Sequence, residues 1–236
     1  VAVPRRAGDF AVDTPAHISC ARSPEVRVTI LCSPNNPTGN STPPEEVAEL
    51  AAAARGLVVV DEAYGEFGGR SCLPLLAEHP NLVVLKSFSK SFGLAGLRVG
   101  YLVARPEVVA QLLKVKQPFN VNSFSQMAAR AVLRHLPLFL ERIAAICRER
   151  EALRAAMAEI PGVRVYPSEA NFLLFRTHLP AGDVHRGLVR RGVLVRLLDG
   201  PDLPGHLRVT VGRPEENRAF VKALREVLAS GGGPAE

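Results

Sequence analysis

The sequence predicts an α/β protein. A doubly wound, mostly parallel sheet is expected over residues 1–145, a smaller α+β domain over 146–229, and a frayed tail over 230–236. Three observations lead there. The apolar runs Val28–Cys32, Leu57–Val60 and Asn81–Leu85 each end in polar residues and are separated by helical or turn-rich stretches, the pattern of buried parallel strands with crossovers. From Pro137 to Ile160 the apolar positions Leu138, Ile143, Ile146, Leu153 and Met157 recur at helical spacing between arginines and glutamates, which predicts one long helix bridging two domains. Beyond Pro161-Gly162 short strands and helices alternate again.

The elements follow in order. Val1-Ala2-Val3-Pro4 reads as the end of a strand and Val1–Asp13 as the middle of something, so N-terminal sequence is expected to be missing. Val28–Cys32 stops at Ser33-Pro34-Asn35-Asn36-Pro37-Thr38-Gly39-Asn40, a rigid turn by its prolines, asparagines and glycine. Thr42 is the expected N-cap of a helix with proline and glutamates in its first turn, running to about Arg55. The strand Leu57–Val60 ends in Asp61-Glu62-Ala63-Tyr64. A short helix near Leu73–Glu78 and the strand Asn81–Leu85 come next. After a glycine-punctuated loop, Arg98–Ala104 is a strand and Pro106–Lys114 a helix; another helix, capped at or near Ser123, runs through about His135. In the second domain, strands are expected at Val163–Tyr166, Phe172–Phe175, Val193–Arg196 and Leu207–Val211, and helices at Ala181–Arg191 and Pro214–Ala229.

Composition narrows the function. At 236 residues and 47% hydrophobic the chain can bury a sizeable core. No stretch nears the roughly 20 apolar residues of a membrane helix, and Val1–Gly8 lacks the pattern of a signal peptide, so a cytoplasmic protein is expected. Cys20, Cys32, Cys72 and Cys147 are widely spaced, which predicts reduced, mostly buried thiols and no metal site. The net charge of +6 is spread along the chain without interleaved aromatics, which argues against a nucleic-acid partner. Val58-Val59-Val60-Asp61-Glu62 could end a nucleotide-hydrolysing strand, but the Gly-x-x-x-x-Gly-Lys-Ser/Thr loop that such a site needs is not in the sequence. Six histidines show neither ligand spacing nor a partner acid at a strand end.

Three successive strand ends offer Asn36, then Asp61 with Tyr64, then Ser87, Ser89, Lys90 and Arg98. In a parallel sheet these ends share one rim, where ligands bind. An amide, a carboxylate, a phenol, a lysine and an anion cradle together suit pyridoxal phosphate. Its aldehyde takes a lysine as a Schiff base, its ring nitrogen takes a carboxylate, and its phosphate takes hydroxyls and an arginine. With only five lysines in the chain, Lys90 stands in the loop after the third strand, while Lys86 lies inside the strand run, where a structural role is expected.

The motifs Ser-Pro-Asn-Asn-Pro-Thr-Gly at 33–39, Val-Asp-Glu-Ala-Tyr at 60–64, Ser-Phe-Ser-Lys-Ser-Phe-Gly-Leu-Ala-Gly-Leu-Arg-Val-Gly-Tyr at 87–101, Asn-Phe-Leu-Leu at 171–174 and Leu-Arg-Val-Thr-Val-Gly at 207–212 fall in one order across nearly the whole chain. In this the chain resembles the fold-type I aminotransferases, which depend on pyridoxal phosphate, and within them the histidinol-phosphate aminotransferases. The resemblance implies that Lys90 forms the Schiff base and moves the proton, that Asp61 pairs with the pyridine nitrogen, and that Asn36 and Tyr64 bond the ring's 3-oxygen. It further implies that Ser87, Ser89 and Arg98 hold the phosphate. Arg208, helped by Arg196, would grip the substrate anion in a pocket lined by Asn171, although both could also be salt-bridged strand arginines.

The expected reaction moves an amino group between a phosphorylated amine such as histidinol phosphate and a 2-oxo acid such as 2-oxoglutarate, in histidine biosynthesis and as a homodimer when full length. A threonine-phosphate decarboxylase-like enzyme shares the same site, and a catalytically incomplete fragment is the remaining alternative. The family's N-terminal region supplies part of the phosphate cradle and the ring-stacking aromatic, so the chain is expected to be incomplete by itself.

Overall fold

A computed structural model describes residues 1–198 and 200–231; most of the expected tail, 232–236, lies outside the described residues. The chain divides into two compact units. The first comprises Val1–Asn36 and Asn40–Ile143, and the second comprises Pro37–Gly39 and the chain from Ala144 onward.

The first unit holds a four-stranded sheet of β1 (Val28–Cys32), β2 (Leu57–Asp61), β3 (Leu82–Ser87) and β4 (Gly100–Ala104), in that order. The first two pairings are parallel and the third antiparallel, so the sheet is mixed and mostly parallel. The strands stand in chain order, and among the described residues the order does not reverse. Register places Cys32 opposite Asp61, Asp61 opposite Leu85, and Ser87 opposite Gly100. Because β4 runs antiparallel, its start lies at the same rim as the ends of the first three strands. That geometry brings Arg98, just before β4, to the rim.

Helices α1 (Thr14–Ala21) and α2 (Pro44–Ala53) pack against each other. Val47, Leu50 and Ala51 of α2 bury with Leu31, Val58, Val60, Leu82 and Val84 of the sheet. Helix α1 is not among the elements expected from sequence; Asp13 caps it, its carboxylate accepting from the Ala16 amide at 3.1 Å. Two local expectations are corrected. Thr42 does not cap α2, whose N-cap is Pro43. Its buried Oγ1 has no hydrogen-bond partner among the described residues, while its amide donates to Ser33 Oγ at 2.9 Å. Val1–Pro4 is not in a strand, whereas the short helix expected near Leu73–Glu78 is present as a 3-10 helix over Leu73–Ala77.

After α3 (Pro106–Val115), α4 (Ser123–Arg134) starts at Asn122, whose side chain accepts from the Ser125 amide at 2.8 Å. A second small core joins Phe88 and Val99 to Ala129 and Val132 of α4. Helix α5 (Leu136–Ala158) runs from the first unit into the second.

The second unit is an antiparallel sheet ordered β5 (Val163–Val165), β6 (Phe172–Thr177), β8 (His206–Thr210), β7 (Arg196–Leu198). Helices α6 (Ala181–Arg190) and α7 (Pro214–Ala229) complete it. Leu173, Phe175, Leu188, Leu207, Phe220 and Leu224 dominate its core. Strand β7 starts three residues later than expected, for Leu194 is 80% exposed and pairing begins only at Arg196.

Candidate active site

Each strand end is locked by its own local bonds. After β1, Ser33 N–H donates to the Asp61 carbonyl at 2.9 Å, and the turn closes by Asn35 N–H to the Asn40 carbonyl at 2.9 Å. After β2, Asp61 Oδ1 accepts from the Ala63 amide at 2.9 Å, and a 3-10 turn at Gly65–Phe67 follows Tyr64. After β3, Ser87 Oγ accepts from the Ser89 amide at 3.1 Å. Phe88 is buried and donates its N–H to the Val99 carbonyl at 3.1 Å, so the intervening loop is pinned at its base while Lys90 stays exposed. Gly93 turns that loop at φ +69°, where a side chain would be strained. Arg98 itself sits in the left-handed region at φ 53° and donates to the Ala95 carbonyl at 3.1 Å. Gly100 is required beyond it, since a Cβ there would lie 2.8 Å from the Lys86 carbonyl oxygen.

These locks assemble a constellation inside the first unit. Asn36 Nδ2 lies 3.4 Å from the Tyr64 hydroxyl, and Lys90 Nζ lies 5.5 Å from the centre of the Tyr64 ring. Tyr64 is only 7% exposed, so its ring forms a rigid floor beneath two exposed polar groups. Asp61 and Ser87 stand at the neighbouring strand ends, with Ser89 in the loop and Arg98 at the antiparallel return.

The other three sequence-derived residues belong to the second unit. Asn171 precedes β6, and its carbonyl accepts from Val211 N–H at 2.9 Å. Arg196 and Arg208 face each other across β7 and β8, and the Arg208 guanidinium lies 4.9 Å from the Phe172 ring centre.

Sequence reasoning missed a buried ionic cluster beside this rim. Lys86 Nζ lies 2.9 Å from Glu62 Oε2 and 3.3 Å from Glu66 Oε1. Glu62 also accepts from Ser71 Oγ at 2.7 Å and the Cys72 amide at 2.6 Å, and Glu66 Oε2 accepts from Ser91 Oγ at 2.7 Å. Burial alone would lower the Lys86 pKa, but its bond to Glu62 and the two negative charges raise it above the ordinary lysine value. Burial, then the Glu62 charge, pushes the Cys72 thiol up to about 12. Burial raises the Cys32 thiol as well, against the opposing backbone bond at Asn36. All four cysteines are free, but only Cys72 is buried, which corrects the expectation of mostly buried thiols. Among the described residues no group of three or more acidic, histidine or cysteine side chains could hold a metal ion, and no helix is long and apolar enough to cross a membrane.

The donor set fits an aromatic aldehyde phosphate: an amine beside a phenol and an amide, a carboxylate at the next strand end, and hydroxyls with an arginine at the rim. Comparisons point the same way. Residues 3–224 match the family model described as aminotransferase class I and II. The histidinol-phosphate aminotransferase of Thermococcus kodakarensis is 47% identical over 218 residues, 92% of this chain and 61% of that protein. The chain thus spans about three fifths of the length of such curated relatives. Among solved structures, histidinol-phosphate aminotransferase from Sinorhizobium meliloti in complex with pyridoxal-5'-phosphate superposes with a TM-score of 0.85 at 28% identity, covering 98% of this chain and 64% of that one. L-threonine-O-3-phosphate decarboxylase from Porphyromonas gingivalis superposes with a TM-score of 0.78 at 28% identity, covering 87% and 66%. With the fold, the rim and the family model in agreement, the chain belongs to the class I and II aminotransferases.

Proposed function

We propose that the chain carries the cofactor-binding part of a pyridoxal phosphate-dependent aminotransferase, active as a homodimer in the cytoplasm when full length, that moves an amino group between a phosphorylated amine of the histidinol phosphate type and a 2-oxo acid. The observation that carries this reading is that Asn36 meets the Tyr64 hydroxyl and Lys90 lies over the Tyr64 ring, at the carboxyl ends of parallel strands. Pyridoxal phosphate, when bound, supplies an aldehyde and a protonated ring that accepts electrons from a substrate carbon.

The protein's groups do the rest. Lys90 Nζ is the attachment point and, once freed, takes and returns the substrate proton, a step worth roughly 10²–10⁴-fold. The Asp61 carboxylate, held by the Ala63 amide, accepts the ring N–H and keeps that nitrogen protonated. Asn36 and Tyr64 donate to the ring oxygen. Ser87, Ser89 and the exposed donors of Arg98 bind the phosphate dianion. In the second unit, Arg196 and Arg208 are like charges opposite each other on adjacent strands, an arrangement suited to sharing an anion. That supports their binding the substrate carboxylate or phosphate, with Asn171 lining the same pocket.

The test is to incubate the chain with pyridoxal phosphate, reduce with borohydride and map the modified lysine by mass spectrometry. Label at Lys90, lost in Lys90→Ala, is expected; label spread over Lys114, Lys116 and Lys222 with none at Lys90 would defeat the assignment and favour a fragment that holds no cofactor. The likeness to the decarboxylase supports a second reading, in which the same site releases carbon dioxide. Supplying the full-length protein with histidinol phosphate or threonine phosphate and assaying the oxo product against carbon dioxide separates the two.

A further inference from the structure

The ionic cluster on the first unit is built around the segment that bears Lys90. Tyr64 and Glu66 belong to one tight turn, closed by Gly65 N–H to the Glu62 carbonyl at 2.9 Å and Phe67 N–H to the Tyr64 carbonyl at 3.1 Å. Lys90 and Ser91 belong to another, closed by Gly93 N–H to the Lys90 carbonyl at 3.3 Å. The side-chain bond from Ser91 Oγ to Glu66 Oε2, at 2.7 Å, joins the two turns. Ser91 is buried and the Glu66 side chain is 18% exposed, so this hydroxyl-to-carboxylate bond is largely shielded from water, which strengthens it. The other carboxylate oxygen of Glu66 is held by Lys86, itself buried in β3 and paired with Glu62. Gly65 leaves room for that ammonium, since a Cβ there would lie 3.0 Å from Lys86 Nζ.

We propose that Glu66 and Ser91 are positioning residues: their hydrogen bond holds the Lys90 turn against the Tyr64 turn, and Lys86 anchors Glu66 to the sheet. The inference rests on the reading of Lys90 as the cofactor's attachment point. Neither residue touches the reacting groups. Without the bond, the turn bearing Lys90 keeps its Phe88 bonds and the packing of Phe92 but loses its tie to the Tyr64 turn, and the exposed amine spends less time over the Tyr64 ring.

The test uses the chain as it stands, in four forms: parent, Ser91→Ala, Ser91→Thr and Glu66→Gln. One arm measures borohydride-trapped pyridoxal phosphate at Lys90 against cofactor concentration, with the exposed Lys114, Lys116 and Lys222 as internal references. The other arm needs no cofactor and follows amide hydrogen exchange in the peptide spanning 88–94. For Ser91→Ala, about tenfold weaker trapping at Lys90 and about tenfold faster exchange in that peptide are expected, the loss of one charge-assisted bond. Ser91→Thr keeps the hydroxyl and should restore both, which a generally loosened fold would not do. Glu66→Gln should give an intermediate loss, because the amide still accepts but no longer pairs with Lys86. Parent-like trapping and exchange in Ser91→Ala would overturn the inference. A parent unlabelled at Lys90 would instead remove the cofactor reading, and the exchange arm would still decide whether the bond holds the turn.

Discussion

At the scale of single residues the informative feature is a charge imbalance. Glu62 and Glu66 share one counter-cation, Lys86, in a site where the Glu62 and Lys86 side chains are 3% and 8% exposed. Lys86→Met would leave two carboxylates with no cation, and removing one partner of a buried pair costs about 3–5 kcal/mol. A large fall in melting temperature is expected, measured by calorimetry, with Lys86→Arg retaining most of the stability because it keeps the charge. The pH dependence follows from the direction of the shift. A lysine whose folded pKa is raised contributes stability that is fully present below its unfolded value of about 10.4 and is lost as pH climbs through the folded value. Denaturation midpoints of the parent relative to Lys86→Met should therefore differ by a constant amount from neutral pH to about 10 and converge above it. A difference that shrinks between pH 6 and 9 would contradict the pairing.

At the scale of elements, helix packing in the second unit turns on one glycine. A Cβ at Gly187 in α6 would sit 2.8 Å and 2.9 Å from the two methyls of Val227 in α7. Val227 is fully buried, so it has little room to give way. Gly187→Ala gains about 1 kcal/mol of helix propensity and loses about 1–3 kcal/mol to overpacking. The net expectation is a protein destabilised by about 1 kcal/mol, with Val227→Ala in the same chain relieving the clash. A double-mutant cycle by urea unfolding reads this as a favourable coupling. Much of this level was legible beforehand. Parallel strands showed as apolar runs cut off by polar residues at the rim, where Asn36, Asp61 and Ser87 lie. Helix α1 was not legible, because eight residues carry little periodicity and its signal was a single Asp13 cap. Val193-Leu194-Val195 looks like a strand by composition, yet Leu194 points to solvent and only Arg196–Leu198 find partners on β8. The site followed the same division. Asp61 ends β2, and Asn36 and Lys90 lie in the turns just beyond β1 and β3, so all three were candidates from the sequence, whereas Glu66 and Ser91 meet across 25 positions and gain meaning only from the fold.

At the scale of the whole molecule, β1 and β4 are the edge strands of the first unit's sheet among the described residues. Val28 and Ile30 on β1 are 47% and 68% exposed, and Tyr101 and Leu102 on β4 are 47% and 36% exposed. Edge strands present unpaired backbone groups, and apolar side chains beside them favour pairing with another chain. Further exposed apolar residues follow on α3, α4 and the segment between them, including Val115, Phe119, Phe124 and Met127. The net charge of +6 opposes association only at long range, and at 0.15 M salt its reach falls to about 8 Å. Apolar contact should therefore win at close approach. The chain is expected to self-associate reversibly, with sedimentation velocity shifting to larger species as concentration rises and more strongly at high salt. Placing a charge at each edge, as in Ile30→Lys with Leu102→Lys, should return it to a monomer without changing its circular dichroism. If only one of the two substitutions has this effect, that edge carries the contact. If neither does, association runs through α4 and the segment that precedes it, and Phe119→Ser with Phe124→Ser should abolish it instead.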